Sequence, residues 1–356
     1  MRVTAPPGTS CMREKGRFWP FLSNLVELRV TGTPVPVLNG VTVNPDSGNA
    51  DYSLSRDGTL LYAPGDAWGN TNRVVWVDRQ GRTRPLIDTP GFYVGPQLSP
   101  DGRLLAITKG GANGSNWVYD LERHSMTPVA SGWDNVYAHW TLDGRNLTFA
   151  SNRSGVYNLY QQAADGSSEA ERLTFSDHRQ SVGSWSPDGK VIAFRESSDI
   201  WLLSMDGEPK RELFLQTEFS EWWPRFSPDG RWIAYVSNPS GQDEIYVRPF
   251  PRSEGRQQVS VEGGMLPEWN PSGGELFYIN GEKMMVAEVA TSGETITFSN
   301  PRLLLERPLG RGDYDVSSDG QNFVMIEQGE LFAAPTRLRL IMNWSEELKR
   351  LAPTGN

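Results

Sequence analysis

A four-residue turn written seven times constrains this chain more than anything else in it. SRDG occupies 55–58, SPDG 99–102, TLDG 141–144, SPDG 186–189 and again 227–230, PSGG 271–274 and SSDG 317–320. The copies stand roughly 41 to 47 residues apart, the period of propeller blades. The motif has hairpin chemistry. Pro sets φ at about −65° for the second position of a type I turn. Asp tolerates the next position and bonds the backbone. Gly takes the left-handed residue that closes a three-residue hairpin with a bulge.

The flanks repeat as well. YVGPQL, YAHW, VGSW, WPRF and LPEW precede the turns, and LLAIT, NLTFA, VIAFR, WIAYV, LFYIN and NFVMI follow them. Such short apolar runs read as largely buried strands. A third strand comes next (RVVWVDRQG, NWVYDLERH, YNLYQQAADG, DIWLLSMDG, EIYVRPFPR, KMMVAEVA), then a weaker fourth (TRPLID, MTPVAS, ERLTF, RELFLQ, RQQVSV, RLLLE). The expected fold is all-β, a seven-bladed β-propeller of four-stranded antiparallel blades, with six or eight blades as alternatives. Residues 1–17 are expected to be irregular and 18–356 to form a single propeller domain. FWPFLSNLVELRV, PVPVLNGV and LRLIMNW are expected to finish the last blade, which closes the ring with strands from both termini and removes open edges. NWSEELKRLAP reads as a short helix near 345–351, with Ser345 as its N-cap.

Composition supports many turns and few long helices: 36 Gly, 25 Pro and only 37 % hydrophobic residues in 356. Thirteen Trp fit a repeat that reuses one aromatic position. The net charge of −9 supplies no basic face for phosphates, so nucleic acid is not an expected partner. Cys11 is the sole cysteine, so no internal disulfide forms. No apolar run approaches the roughly 18–20 residues of a membrane span. The first 24 residues lack the apolar core of a signal peptide, and the compartment stays open. The expectation is a monomer with no cofactor.

SWSPDGKVIAF followed by DIWLLSMDG resembles the TolB-type propeller repeat, a relative of WD-type repeats, and the likeness runs from about residue 30 onward. VTGTPVPVLNGV, VVWVDRQGR, SNPSGQDEIYVRPFP, YDVSSDG and NWSEELKRLAPTG resemble the C-terminal propeller region of bacterial serine/threonine kinases. In such relatives the propeller usually lies beyond a membrane span, outside the cytoplasm. The resemblance implies a protein-docking platform, a peptidase gating domain or, in a few branches, an enzyme such as an oligogalacturonate lyase with a histidine-rich metal centre. The three histidines here, His124, His139 and His178, are too few on inner strands for that centre, and no metal site is assigned.

The segments entering the innermost strands should surround one mouth of a central channel. They supply Tyr93, Trp133, Tyr137, His139, His178, Arg179, Trp222, Arg225, Arg311 and Tyr314 as candidate ligand-binding residues. Aromatic faces beside convergent polar groups suit a protein segment or a small polar or carbohydrate ligand. Glu221, Glu268 and Asp313 are the candidate catalytic carboxylates should the chain be a glycoside hydrolase or lyase, which needs two carboxylates across a cleft. No serine-hydrolase elbow is present. The turn aspartates are assigned to structure, and Trp140, Trp185, Phe226 and Trp269 to inter-blade packing.

Overall fold

In a computed structural model, residues 9–14, 17–24, 29–30, 38, 41, 50, 52–55, 57–64, 69–110, 114–251, 255–332 and 337–351 are described. They belong to two compact units, one of residues 1–71 with 330–356 and one of 72–329. The expectation from the sequence is a single propeller domain over 18–356.

Six sheets make up the larger unit. Their innermost strands are Tyr93–Leu98, Asn135–Trp140, Gln180–Trp185, Glu221–Phe226, Met265–Trp269 and Leu309–Val316. Each packs on the next, and the sixth packs back on the first, so the sheets form a closed ring. The first four sheets have four antiparallel strands each. The fifth adds Thr295–Phe298, which pairs with the outer half of a ten-residue third strand. The sixth is composite: Leu309–Val316 and Asn322–Phe332 are joined by Gly69–Asp78 and Thr83–Gly91.

The second strands explain why the blades need one another. Leu105, Leu147, Ile192, Ile233, Leu276 and Phe323 stand at one position of the repeat, and all are fully buried. Two residues on, Ile107, Phe149, Phe194, Tyr235, Tyr278 and Met325 are buried too. Two residues apart on a strand means the same face, and the intervening Ala106, Thr148, Ala193, Ala234, Phe277 and Val324 are buried on the other. Both faces are covered only when a neighbouring blade lies on each side. Indoles stitch the joints: Trp140 Nε1 donates to the Gln97 carbonyl at 2.9 Å, and Trp269 Nε1 to that of Arg225 at 3.0 Å.

The repeated turns have the expected chemistry. In 99–104, Ser99 Oγ donates to Asp101 Oδ1 at 2.6 Å, and the Arg103 N–H donates to the same oxygen at 3.1 Å. The Leu104 N–H donates to Ser99 Oγ at 2.9 Å, and Gly102 takes φ of 69°. Ser186 with Asp188, Ser227 with Asp229, Ser317 with Asp319 and Thr141 with Asp143 repeat the hydroxyl–carboxylate bond at 2.6 Å. At the PSGG copy the turn runs Asn270–Gly273, with Asn270 at the serine position and Ser272 at that of the acid, and the bond is reversed: Ser272 Oγ donates to Asn270 Oδ1 at 2.8 Å.

Ring closure differs from the sequence expectation. RVVWVDRQG and TRPLID, which follow the first motif in the chain, complete the sheet begun by the last motif. Val75 and Val77 there enter one apolar cluster with Val316, Phe323 and Met325. The N-terminal segment expected in that place instead forms Arg17–Asn24, paired with Thr9–Glu14 and Arg29–Val30. PVPVLNGV is described only at Leu38 and Val41, the latter bridged to Pro64. Six motif turns lie in the ring and SRDG lies in the smaller unit, so a count of seven blades is not confirmed.

In the smaller unit Tyr52–Leu54, Leu60–Tyr62 and Arg339–Ile341 form a three-stranded sheet, the last of these being part of LRLIMNW. Val41, Leu60, Tyr62 and Trp344 make its core. The helix runs Trp344–Leu351. The Asn343 carbonyl accepts the Glu346 and Glu347 N–H groups, so the cap falls at Asn343 and Ser345 lies inside the first turn.

Three substitutions should rank by the depth of what they disturb. Asp188→Ala removes a turn bond and should cost about 1 kcal/mol. Gly189→Ala forces a Cβ onto φ of 70° and should cost about 1–2 kcal/mol. Phe194→Ala empties fully buried volume and should cost about 3–5 kcal/mol. Urea unfolding reads all three, and a Phe194→Ala cost no larger than that of Asp188→Ala would contradict the packing described.

Candidate functional site: the axial channel

All six innermost strands contribute to one narrow central cavity of about 50 Å³. Each strand reaches it through a bulge, where the pairing register slips. Four residues inside these bulges are left-handed: Gly95 (φ 59°), Tyr137 (53°), Trp223 (48°) and Leu266 (53°). All four line the cavity. Only Gly takes this conformation without cost, so three equivalent positions of the channel wall hold strained backbone, a pattern that recurs at ligand sites. Pro96, Pro224 and Pro267 follow three of them. Proline within a central strand is the sequence mark of such a bulge.

The wall is polar between its aromatic members. Arg225 reaches across blades: its Nε donates to Glu268 Oε1 at 2.6 Å, and its Nη1 donates to the Gly183 carbonyl. Asp313 Oδ2 accepts the Gly95 N–H at 3.0 Å. Asp315 Oδ2 accepts the Leu98 N–H at 2.6 Å, and Oδ1 accepts its neighbour Val316 N–H at 2.9 Å. Tyr314 donates its hydroxyl to the Leu266 carbonyl at 2.9 Å. His139 is 7 % exposed and lines the cavity.

Burial governs the protonation here. It pushes Glu268 up to about 7; Arg225 opposes this and the Asp315 charge adds to it. Asp315 rises to about 6, again through burial, against its two backbone donors. Burial, then the Arg225 charge, lowers His139 well below its usual range, so its imidazole is neutral at pH 7. Among the described residues no group of three or more His, Cys, Asp or Glu side chains is placed to hold a metal ion.

The structure therefore brings Tyr137, His139, Arg225, Glu268, Asp313 and Tyr314 to one cavity. Other expected site residues lie elsewhere. Tyr93 is in the inter-blade core, its hydroxyl on the Thr89 carbonyl at 3.0 Å. Glu221 is fully buried inside its own blade, accepting from Thr217 Oγ1 at 2.6 Å and Ser237 Oγ at 3.2 Å, because the start of its strand faces the sheet's hydroxyl network and not the axis. Trp133, His178 and Arg179 are exposed, outside the cavity lining, and Trp222 packs half-buried against the fourth–fifth blade core. Arg311 lies on Leu309–Val316 with its side chain outside the described residues. Gly95, Gln97, Ser181 and Leu266 line the cavity without having been singled out as site residues.

A ring of antiparallel sheets around a lined axis defines the chain as a β-propeller. Residues 67–217 match the TolB beta propeller domain family, PD40. A putative TolB from Agrobacterium tumefaciens superposes with a TM-score of 0.60 at 19 % identity, covering 74 % of this chain and 99 % of that one. TolB from Acinetobacter baumannii gives 0.51 at 17 % identity, covering 90 % and 79 %. In sequence, an uncharacterized Agrobacterium fabrum protein is 27 % identical over 51 % of this chain and 68 % of its own length. The Tol-Pal system protein TolB of Wolinella succinogenes is 26 % identical over 47 % of this chain, which spans 42 % of that relative. The chain is a β-propeller repeat protein whose residues 67–217 are similar to the TolB type. No helix among the described residues is long and apolar enough to cross a membrane.

The raised carboxyls give a signed pH dependence. Between its ordinary 4.5 and about 7, Glu268 keeps a proton in the folded chain that the unfolded chain has released, so its share of stability falls as pH rises and is flat above. The turn aspartates, whose pKa values are lowered (Asp101 and Asp188 through their serine bonds), act oppositely, with stability lost only as pH falls below about 4. The stability of wild type relative to Glu268→Gln should therefore fall from pH 5 to pH 7, by at most about 1.4 kcal/mol per unit. Urea unfolding at four pH values measures it, and a flat difference would place Glu268 in ordinary solvent.

Proposed function

We propose that this chain is a binding module whose channel mouth docks a protein segment. The observation that carries the reading is the cavity to which all six blades contribute, with strained Tyr137 and Trp223 on its wall beside a neutral histidine and a buried Arg225–Glu268 pair. Buried donors and acceptors next to aromatic faces suit peptide groups. The TolB relatives are named as Tol-Pal system proteins, which agrees with a docking role. A small polar or carbohydrate ligand would use the same groups.

Carbohydrate chemistry is the second reading, favoured by one observation: Glu268, a carboxyl held near neutrality, lines the same cavity as Asp313. Glycosides and uronides assayed with wild type and Glu268→Gln decide it. Turnover lost in the variant establishes an enzyme, and no turnover on any substrate removes the reading.

For docking, Ser181→Trp fills the channel from a lining position. Peptides selected from a displayed library on the wild-type chain should bind this variant at least tenfold more weakly, a loss of about 1.4 kcal/mol. Circular dichroism confirms that the variant is folded. Selected peptides that bind Ser181→Trp at full strength would overturn the axial site.

A further inference from the structure

Two arginines at the channel's edge form no ion pair with a carboxylate of the described residues. Arg179 stands just before Gln180–Trp185, and Arg195 lies near the end of the neighbouring Val191–Glu196. The Ser197 N–H donates to the Arg179 carbonyl at 3.0 Å and ties the two segments together. Each guanidinium rests on an aromatic ring: Arg179 lies 4.4 Å from the Tyr157 centroid, and Arg195 lies 5.2 Å from that of Trp222. Arginines nearby are paired, Arg211 with Glu196 at 2.8 Å and Arg225 with Glu268 at 2.6 Å. Arg179 and Arg195 have no such carboxylate partner among the described residues; Arg195 Nε donates to the Ser197 carbonyl, which leaves its two Nη groups for a ligand. Arg195 is half-buried, and burial together with the Arg179 charge lowers its pKa.

Holding two like charges together, one of them partly desolvated, is unfavourable for the free protein. The arrangement becomes favourable when an anion lies between them. The aromatic rings hold the guanidinium planes, and guanidinium N–H pairs match a carboxylate. The position is also right. Ser181, two residues past Arg179, and Trp223, next to Trp222, both line the channel.

We propose that Arg179 and Arg195 form a carboxylate-recognition subsite at the rim, and that the segment docked at the mouth is acidic, presenting Asp or Glu side chains to this pair. The proposal rests on the reading of the mouth as a docking site. The charge complementarity is local: the chain as a whole is negative at −9, which repels acidic segments everywhere except at such a cationic rim.

Fluorescence anisotropy on the full chain tests it with three probes: a labelled twelve-residue Glu/Gly peptide, its Gln/Gly counterpart, and inorganic phosphate as competitor. The Glu/Gly peptide should bind and weaken with added salt, and the Gln/Gly peptide should not bind. Arg179→Gln, at an exposed position that leaves the fold undisturbed, should lose five- to tenfold, and the double variant with Arg195→Gln thirtyfold or more. Unchanged binding in the double variant overturns the proposal, as does no binding of the Glu/Gly peptide to wild type. Phosphate competing as well as the peptide overturns the protein-segment assignment in favour of a small-anion site. If the double variant binds normally while Ser181→Trp does not, the mouth remains a docking site and only the acidic partner is wrong. If neither variant matters, both readings fall.

Discussion

Everything in the larger unit depends on second strands that are apolar on both faces. Such a strand has no place at the outside of a single sheet, where one of its faces would meet water. The six repeats solve this together: each blade covers its neighbours, and the ring closes when Leu309–Val316 packs on Tyr93–Leu98. Closure needs a sixth sheet built from both ends of the unit, with Asn322–Phe332 beside Gly69–Asp78. The price is chain entropy, since residues some 250 apart in sequence must pair before the ring holds.

The same geometry makes the axis. Innermost strands converge on a space too narrow for regular pleats, and each relieves the crowding with a bulge. Gly95 shows how tight it is: a Cβ there would come within 2.9 Å of Tyr137 Cδ1, and one at Gly183 within 2.4 Å of Pro224 Cγ. The bulges turn Tyr137, Trp223 and Leu266 into the channel wall at the cost of left-handed backbone. Arg225 gains its reach in the same way, spanning from the Gly183 carbonyl on one side to Glu268 on the other. Stability and site are thus built from the same residues, and the channel's polar character is held by the ring rather than by any one blade.

At the mouth the chemistry changes. Deep groups such as Glu268, Asp315 and His139 are kept from water and shifted toward neutrality. Rim groups such as Arg179 are exposed and rest on aromatic rings. A buried, internally paired floor thus lies beneath a cationic aromatic edge.

Much was legible in the amino-acid sequence because it is local. Hairpin turns, strand lengths and the repeat period follow from Ser, Asp and Gly within five residues of one another, and Asp101 and Asp188 hold their turns as those rules require. Six of the candidate site residues reach one cavity because they sit at equivalent places on inner strands, which periodicity reports. Other features are long-range and needed the tertiary structure. Which segments close the ring depends on whether Val75 and Val77 or the N-terminal strands fit against Phe323 and Met325, and alternation alone does not distinguish them. Glu221 and Glu268 look alike in sequence, yet one faces hydroxyls inside its blade and the other faces the axis. That choice is set by the register slip in each strand, and a slip is decided by what packs across the channel.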